Sequence, residues 1–253
     1  MTTEVHSLGK SSEFRRSMYV DGWNQLYLDP KKVTTLGRFC HSVGITELHL
    51  YDLHCILCDA VHDSAHQEVI ESLKTNHGIQ HFNAAYSCMT QLDDIARYQD
   101  TYHAFSGTIL ECEWWRNEPR DFSTALCCLQ AAAASPLEVH AYTGWFQEDE
   151  VADLCSAIDV LHLHAYRPDG TETFSYTKSR LELLSNHSMK VVPLFSAEPD
   201  FMGPWLHKHG LHEAERLYDQ AYQEWAAKEP TKLVKIGVNY FAYSHLAKAV
   251  RSD

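Results

Sequence analysis

The sequence predicts a single-domain α/β fold, a (β/α)8 TIM barrel, on three observations. Short β-like runs alternate with helical patterns along the chain, the mark of βαβ units and a parallel sheet. Eight such units recur at a spacing of roughly 30 residues, and the length of 253 residues suits a closed eight-stranded barrel, for which about 250 is typical. No glycine-rich phosphate loop follows the first strand, as an open dinucleotide-binding sheet would require.

Each element has a local reason. Ser17 to Trp23 reads as the first strand, after which Asp29 caps a helix that carries Pro30 in its first turn and ends at Gly44. Ile45 to Leu53 is the second strand. The helix expected from Asp59 to His77 sets Val61, Ala65, Val69 and Leu73 on one face, and Gly78 stops it. Ile79 to Tyr86 is the third strand, and Thr90-Gln-Leu-Asp93 resembles a capping box that opens a helix to about His103. The fourth strand begins at Phe105, and the alanine-rich helix from Asp121 to Ala134 closes before Pro136. Strands at Leu137–Tyr142, Ile158–Tyr166, Lys190–Ala197 and Leu233–Phe241 then alternate with helices at Glu148–Ala157, Ser175–Asn186, Leu211–Lys228 and Tyr243–Val250. Residues 1–16 are expected to be a flexible N-terminal segment and 17–253 the barrel domain.

Composition narrows the partners. Acidic residues outnumber basic ones by 34 to 21, and a net charge of −13 argues against a nucleic-acid backbone or an anionic membrane. A carbohydrate or other small neutral substrate fits better. The N-terminus lacks the apolar run of a signal peptide, and no stretch of about 20 apolar residues occurs, so a soluble, cytoplasmic protein is expected. Eight cysteines scattered through apolar segments suggest reduced, buried thiols. Cys55-Ile-Leu-Cys58 has the spacing of a zinc or redox pair, without a second pair to complete a four-sulfur site.

In such a barrel the active site lies at the C-terminal strand ends. Those ends hold Asp21 and Trp23, Asp52, Glu111 and Glu113 with Trp115, His140 and Tyr142 with Trp145, His164 and Tyr166, Glu198, and Asn239 and Tyr240. Alternation puts Glu111 and Glu113 on one face of an extended segment, roughly 7 Å apart. Two acids at the end of an apolar strand are costly unless something uses them. Glu113 on strand four and Glu198 on strand seven would face one another across the mouth. That pairing suits glycoside hydrolysis, in which one acid protonates the leaving oxygen while the other attacks or directs water. The surrounding tryptophans and tyrosines offer flat apolar faces for sugar rings. This reading calls for no metal and no cofactor.

The stretch Gly107-Thr-Ile-Leu-Glu-Cys-Glu-Trp114 resembles the strand-four signature of family-18 glycoside hydrolases, the chitinases and endo-β-N-acetylglucosaminidases, which runs D-G-x-D-x-D-x-E. Gly107 matches the glycine, Glu111 falls at the last aspartate and Glu113 at the catalytic glutamate. Ala165-Tyr166 is similar to that family's strand-six tyrosine. The resemblance implies that Glu113 is the general acid, that Glu111 orients and polarises a substrate acetamido group, and that Tyr166 hydrogen-bonds it. Ser106 and Ile109 stand where the signature has its first two aspartates, and strand three lacks the family's serine- and glycine-rich motif. Two other readings stay open. Glu113, His140, His164 and Glu198, from four successive strands, could ligate a metal in a barrel isomerase or hydrolase. The barrel could also bind a sugar or small molecule without turnover.

Overall fold

The computed structural model describes residues 14–58 and 60–250. Among the described residues there are nine strands: β1 (Arg15–Val20), β2 (Glu47–Leu50), β3 (His81–Tyr86), β4 (Gly107–Leu110), β5 (Glu138–Thr143), β6 (Val160–His164), β7 (Met189–Ser196), β8 (Leu233–Lys235) and β9 (Gly237–Phe241). The helices are α1 (Trp23–Leu26), α2 (Pro30–Val43), α3 (His54–Leu57), α4 (Asp63–His77), α5 (Met89–Tyr102), α6 (Phe122–Ala132), α7 (Val151–Ala157), α8 (Thr173–Leu184), α9 (Gly203–His209), α10 (Leu211–Ala226) and α11 (Tyr243–Ala249).

Neighbouring strands are parallel from β1 through β7, and the ring closes from β7 through β9 to β1. The chain is therefore a closed eight-stranded parallel barrel with helices outside it. β8 and β9 share the eighth place: β8 pairs with the start of β7, and β9 with its end and with β1. The first strand begins at Arg15, two residues before the expected start, and residues 1–13 of the expected flexible segment lie outside the described residues, as does Asp59.

Several local expectations hold for stated reasons. Asp29 accepts hydrogen bonds from the backbone of Lys31 and Lys32 at 2.9 and 3.4 Å, with Pro30 next in line, and Gly44 ends α2 at φ 69°. Others need correction. The Thr90 capping box does not form; α5 starts at Met89, and the Gln91 side chain instead accepts from the Ser87 backbone at 2.7 Å. The buried face of α4 is Asp63, His66, Ile70 and Leu73, while Val61 is exposed. Polar partners explain the shift of face, since Asp63 pairs with Arg97 at 2.6 Å and His66 bonds Trp23 and Tyr98 at 2.9 Å each. All eight cysteines are free, but only Cys40 and Cys128 are buried; Cys55, Cys58, Cys88 and Cys127 are exposed. No helix among the described residues is long and apolar enough to cross a membrane.

The barrel interior is layered. Val160, Val192 and Ile236 form an apolar cluster toward the N-terminal end, and Tyr19, Ala85, Ile109, Tyr142 and Leu194 form another toward the C-terminal end. A buried polar layer lies in the same interior. His140 Nδ1 meets His162 Nε2 at 2.9 Å, His162 Nδ1 meets the Asn239 amide at 2.9 Å, and the Asn83 amide donates to Glu47 at 2.6 Å. Burial drives His49 and His162 far below the usual histidine range, so both are neutral. Burial opposes the charge on Glu138, but His140, Lys190 and Arg15 together hold its carboxyl well below the ordinary value. Gly107 is required here: a Cβ would lie 2.6 Å from the Glu138 carbonyl oxygen and 2.9 Å from Asn83 Oδ1.

Candidate active site

A cleft of about 470 Å³ opens at the C-terminal ends of the strands. Glu111 lies deep in it. The Glu111 backbone donates to the Tyr86 carbonyl at 2.8 Å, which carries the β3–β4 pairing one residue past the strand and fixes where the side chain emerges. Tyr19, from β1, and Tyr51, just past β2, both donate hydroxyl hydrogen bonds to its carboxyl. Burial raises the Glu111 pKa from 4.5 to about 7; the two tyrosine hydrogen bonds pull it down and the neighbouring charge of Glu113 pushes it further up. Burial also lifts Tyr19 and Tyr51 well above the ordinary phenol value, which keeps them neutral donors.

Two further carboxyls line the same cleft. Glu113 precedes a one-turn 3-10 helix, Trp114–Arg116, and pairs with Arg116 at 2.9 Å with 41% of its side chain exposed. Glu198 is pinned from β7: the buried Ser196 hydroxyl donates to its Oε2 at 2.8 Å and accepts from its backbone N–H at 3.2 Å. Tyr166 stacks on His164 with ring centroids 4.0 Å apart and hydrogen-bonds Tyr142. Burial, then the nearby charges of Arg180 and Arg116 and, less, of Arg167, lowers His164 to about 4. Its Nδ1 is buried with no hydrogen-bond partner among the described residues.

Glu111, Glu113, Glu198, Tyr142, His164 and Tyr166 are thus gathered around one opening, whereas the remaining expected residues are dispersed. His140 is 1% exposed and sits in the interior polar layer, because the register sets it beside Ile109, two residues below Glu111. Asn239 pairs with Leu194, two residues below Ser196, and is buried in the same layer. Tyr240 alternates outward, where its hydroxyl donates to Glu215 of α10 at 2.8 Å. Trp23 belongs to α1, buried against α4, with its indole N–H donating to His66. The expected metal ring of Glu113, His140, His164 and Glu198 is therefore not assembled, since His140 does not reach the cleft.

Asp21 accepts from the Ser244 backbone at 2.9 Å and tethers α11, and Asp52 forms a left-handed turn at φ 59°. Trp115 packs edge-on against Tyr142 at 5.5 Å, outside the cleft lining, and Trp145 is 46% exposed above Arg180. Sequence reasoning missed Tyr19, Tyr51, Arg116, Phe201 and Phe241, all of which line the cleft. Alternation could have found Tyr19, which shares a face with Ser17 and Asp21.

No protein-family model matches the chain, and no curated protein does. Solved structures do. A family 18 chitinase from Crocus vernus superposes with a TM-score of 0.54 at 13% identity, over 92% of this chain and 94% of that one. A mandelate racemase/muconate lactonizing enzyme-like protein from Rubrobacter xylanophilus reaches 0.48 at 9% identity, over 94% of this chain and 55% of that one. The chain is a (β/α)8 barrel with a distant likeness in fold to a family 18 chitinase.

Proposed function

We propose that the protein hydrolyses a glycosidic bond by carboxyl acid/base catalysis in this cleft. The observation that carries the reading is Glu111, a carboxyl held near pKa 7 between two neutral tyrosines and beside two more carboxyls. A general acid works best when its pKa lies near the working pH, and carboxyls whose surroundings push their pKa values apart mark the acid and the base. In this reading Glu111 gives its proton to the leaving oxygen as the glycosidic C–O bond breaks. Glu113 or Glu198 meets the developing positive charge at the anomeric carbon by directing water or attacking it. The family-18 resemblance implies Glu113 as the proton donor; the depth and tyrosine partners of Glu111 favour moving that role one alternation inward. Tyr142 and Tyr166 offer apolar faces with polar edges for the sugar ring.

The test is a panel of aryl glycosides assayed with the wild type and with Glu111→Gln, Glu113→Gln and Glu198→Gln. The reading expects turnover of at least one glycoside and a loss on the order of a hundredfold or more in Glu111→Gln, since general acid catalysis contributes about 10²–10⁴. Undiminished turnover in Glu111→Gln removes Glu111 from the mechanism. Binding of sugars without cleavage by the wild type would make the barrel a binding protein.

A further inference from the structure

Behind His164, at the edge of the cleft, lies positive charge that no carboxylate among the described residues neutralises. Arg180 of α8 is 1% exposed, yet among the described residues its guanidinium donates only to carbonyl oxygens, of Gly144 at 2.6 Å and Tyr176 at 3.0 Å, and its Nε has no partner. Arg167, in the loop after β6, forms no hydrogen bond or ion pair among the described residues, and its Nε is buried and unpartnered too. Both guanidinium groups pack on one ring: Arg167 lies 4.2 Å and Arg180 4.8 Å from the Tyr176 centroid. Tyr176 is in turn 5.9 Å from His164, whose own unpartnered Nδ1 belongs to a ring lining the cleft. Arg116, the third arginine whose charge reaches His164, is balanced by Glu113.

Two like charges sharing one tyrosine, one of them fully buried, are costly without a counter-ion. Cation–π contact recovers only part of that cost. Arginines that reach into the structure elsewhere do find a buried carboxyl, as Arg16 finds Glu215 and Arg120 finds Glu150, so the missing carboxylate here is a local departure. A guanidinium presents a planar fork of donors that matches carboxylate and sulfate oxygens. The net charge of −13 disfavours a polyanion over the surface as a whole, but it leaves room for a single anionic group at this corner.

We propose that the substrate is a glycoside bearing an anionic substituent, a carboxylate or sulfate on the sugar, which is met beside His164 by Arg167 and the field of Arg180. This rests on the hydrolase reading of the cleft and names the substrate class for it. Arg180 also ties Tyr176 to the Gly144 turn, so it fixes the corner as well as charging it. Arg167, in the loop and partly exposed, is the residue whose charge is free to meet ligand.

The experiment measures equilibrium binding of 4-nitrophenyl uronides, their 6-sulfated hexoside counterparts and the neutral parent hexosides by NMR titration, with hydrolysis followed separately. At least one acidic member should bind about tenfold more tightly than its neutral parent, with that preference largely lost in about 0.5 M NaCl as charge is screened. Arg167→Gln, at a partly exposed loop position, should remain folded and cut the preference to about twofold or less. Tighter uronide binding assigns a carboxylate and tighter sulfate-ester binding a sulfate; either supports the site. Equal binding of neutral and acidic members across the panel overturns it, as does a preference that survives Arg167→Gln. Acidic glycosides that bind selectively without cleavage leave this site standing and sink the hydrolase reading. Neutral glycosides that are cleaved with no acidic preference do the reverse.

Discussion

Replacing Glu111 by glutamine should change how stability depends on pH, and the structure sets both sign and size. The folded protein holds this carboxyl at about 7 against 4.5 for an ordinary glutamate, because burial disfavours its charge. Between those values the folded state keeps a proton that the unfolded state has released, so stability falls as pH rises and the loss is complete above about 7. At about 1.4 kcal/mol per pH unit, the interval corresponds to a ceiling of about 3 kcal/mol, lowered in practice by water in the open cleft. Glutamine keeps the shape and cannot ionise. The difference in unfolding free energy between Glu111→Gln and wild type should therefore grow by about 2–3 kcal/mol between pH 4.5 and pH 8, in favour of the variant. Urea unfolding at several pH values reads this as a divergence in midpoint of about 1 M, for a slope near 2–3 kcal/mol/M. Subtracting variant from wild type cancels the other titrating groups. A difference that stays constant with pH, or one that favours the wild type as pH rises, would refute the reasoning.

Further outcomes follow from the same geometry. Tyr19→Phe removes a donor that stabilises the Glu111 anion, so the alkaline limb of the pH–rate profile should move to higher pH; an unmoved or lowered limb contradicts the hydrogen bond's assigned role. Ser196→Ala removes both hydrogen bonds that orient Glu198, each worth about 0.5–1.5 kcal/mol, and should lower kcat/KM about tenfold or more together with a loss of about 1–3 kcal/mol in unfolding free energy; an unchanged kcat/KM contradicts the orienting role. Gly107→Ala forces a methyl to within 2.6 Å of the Glu138 carbonyl oxygen and should cost about 1–3 kcal/mol in chemical unfolding, with a value near zero showing that the polar layer yields easily.

The barrel was legible because its strands, covered on both faces, read as apolar runs between capped helices. Asp29, Gly44 and Gly78 mark helix ends where the sequence says they should. The site was legible in part. Glu111 and Glu113 follow β4 and Glu198 follows β7, positions that the order of elements alone supplies. Which inward residue stands at the mouth and which stands a layer below is set by register between strands, a non-local property. His140 and Asn239 look like strand-end residues in sequence, yet they fall in the middle of β5 and β9, and pairing with Ile109 and Leu194 places both in the interior polar layer. Trp23 escaped because α1 turns the chain out of the barrel within three residues of β1. The different standing of Glu111 and Glu113 was also hidden: it comes from Tyr19 and Tyr51, which reach the carboxyl from β1 and from just past β2, and from Arg116 at the rim.

The most direct measurement is the side-chain carboxyl titration of Glu111, followed by 13C NMR of glutamate-labelled protein and assigned by its loss in Glu111→Gln. The account predicts one carboxyl that titrates near 7 and loses its signal in that variant. If the signal lost in Glu111→Gln titrates below about 5, with ordinary glutamates, the carboxyl is ionised at neutral pH and cannot be the proton donor.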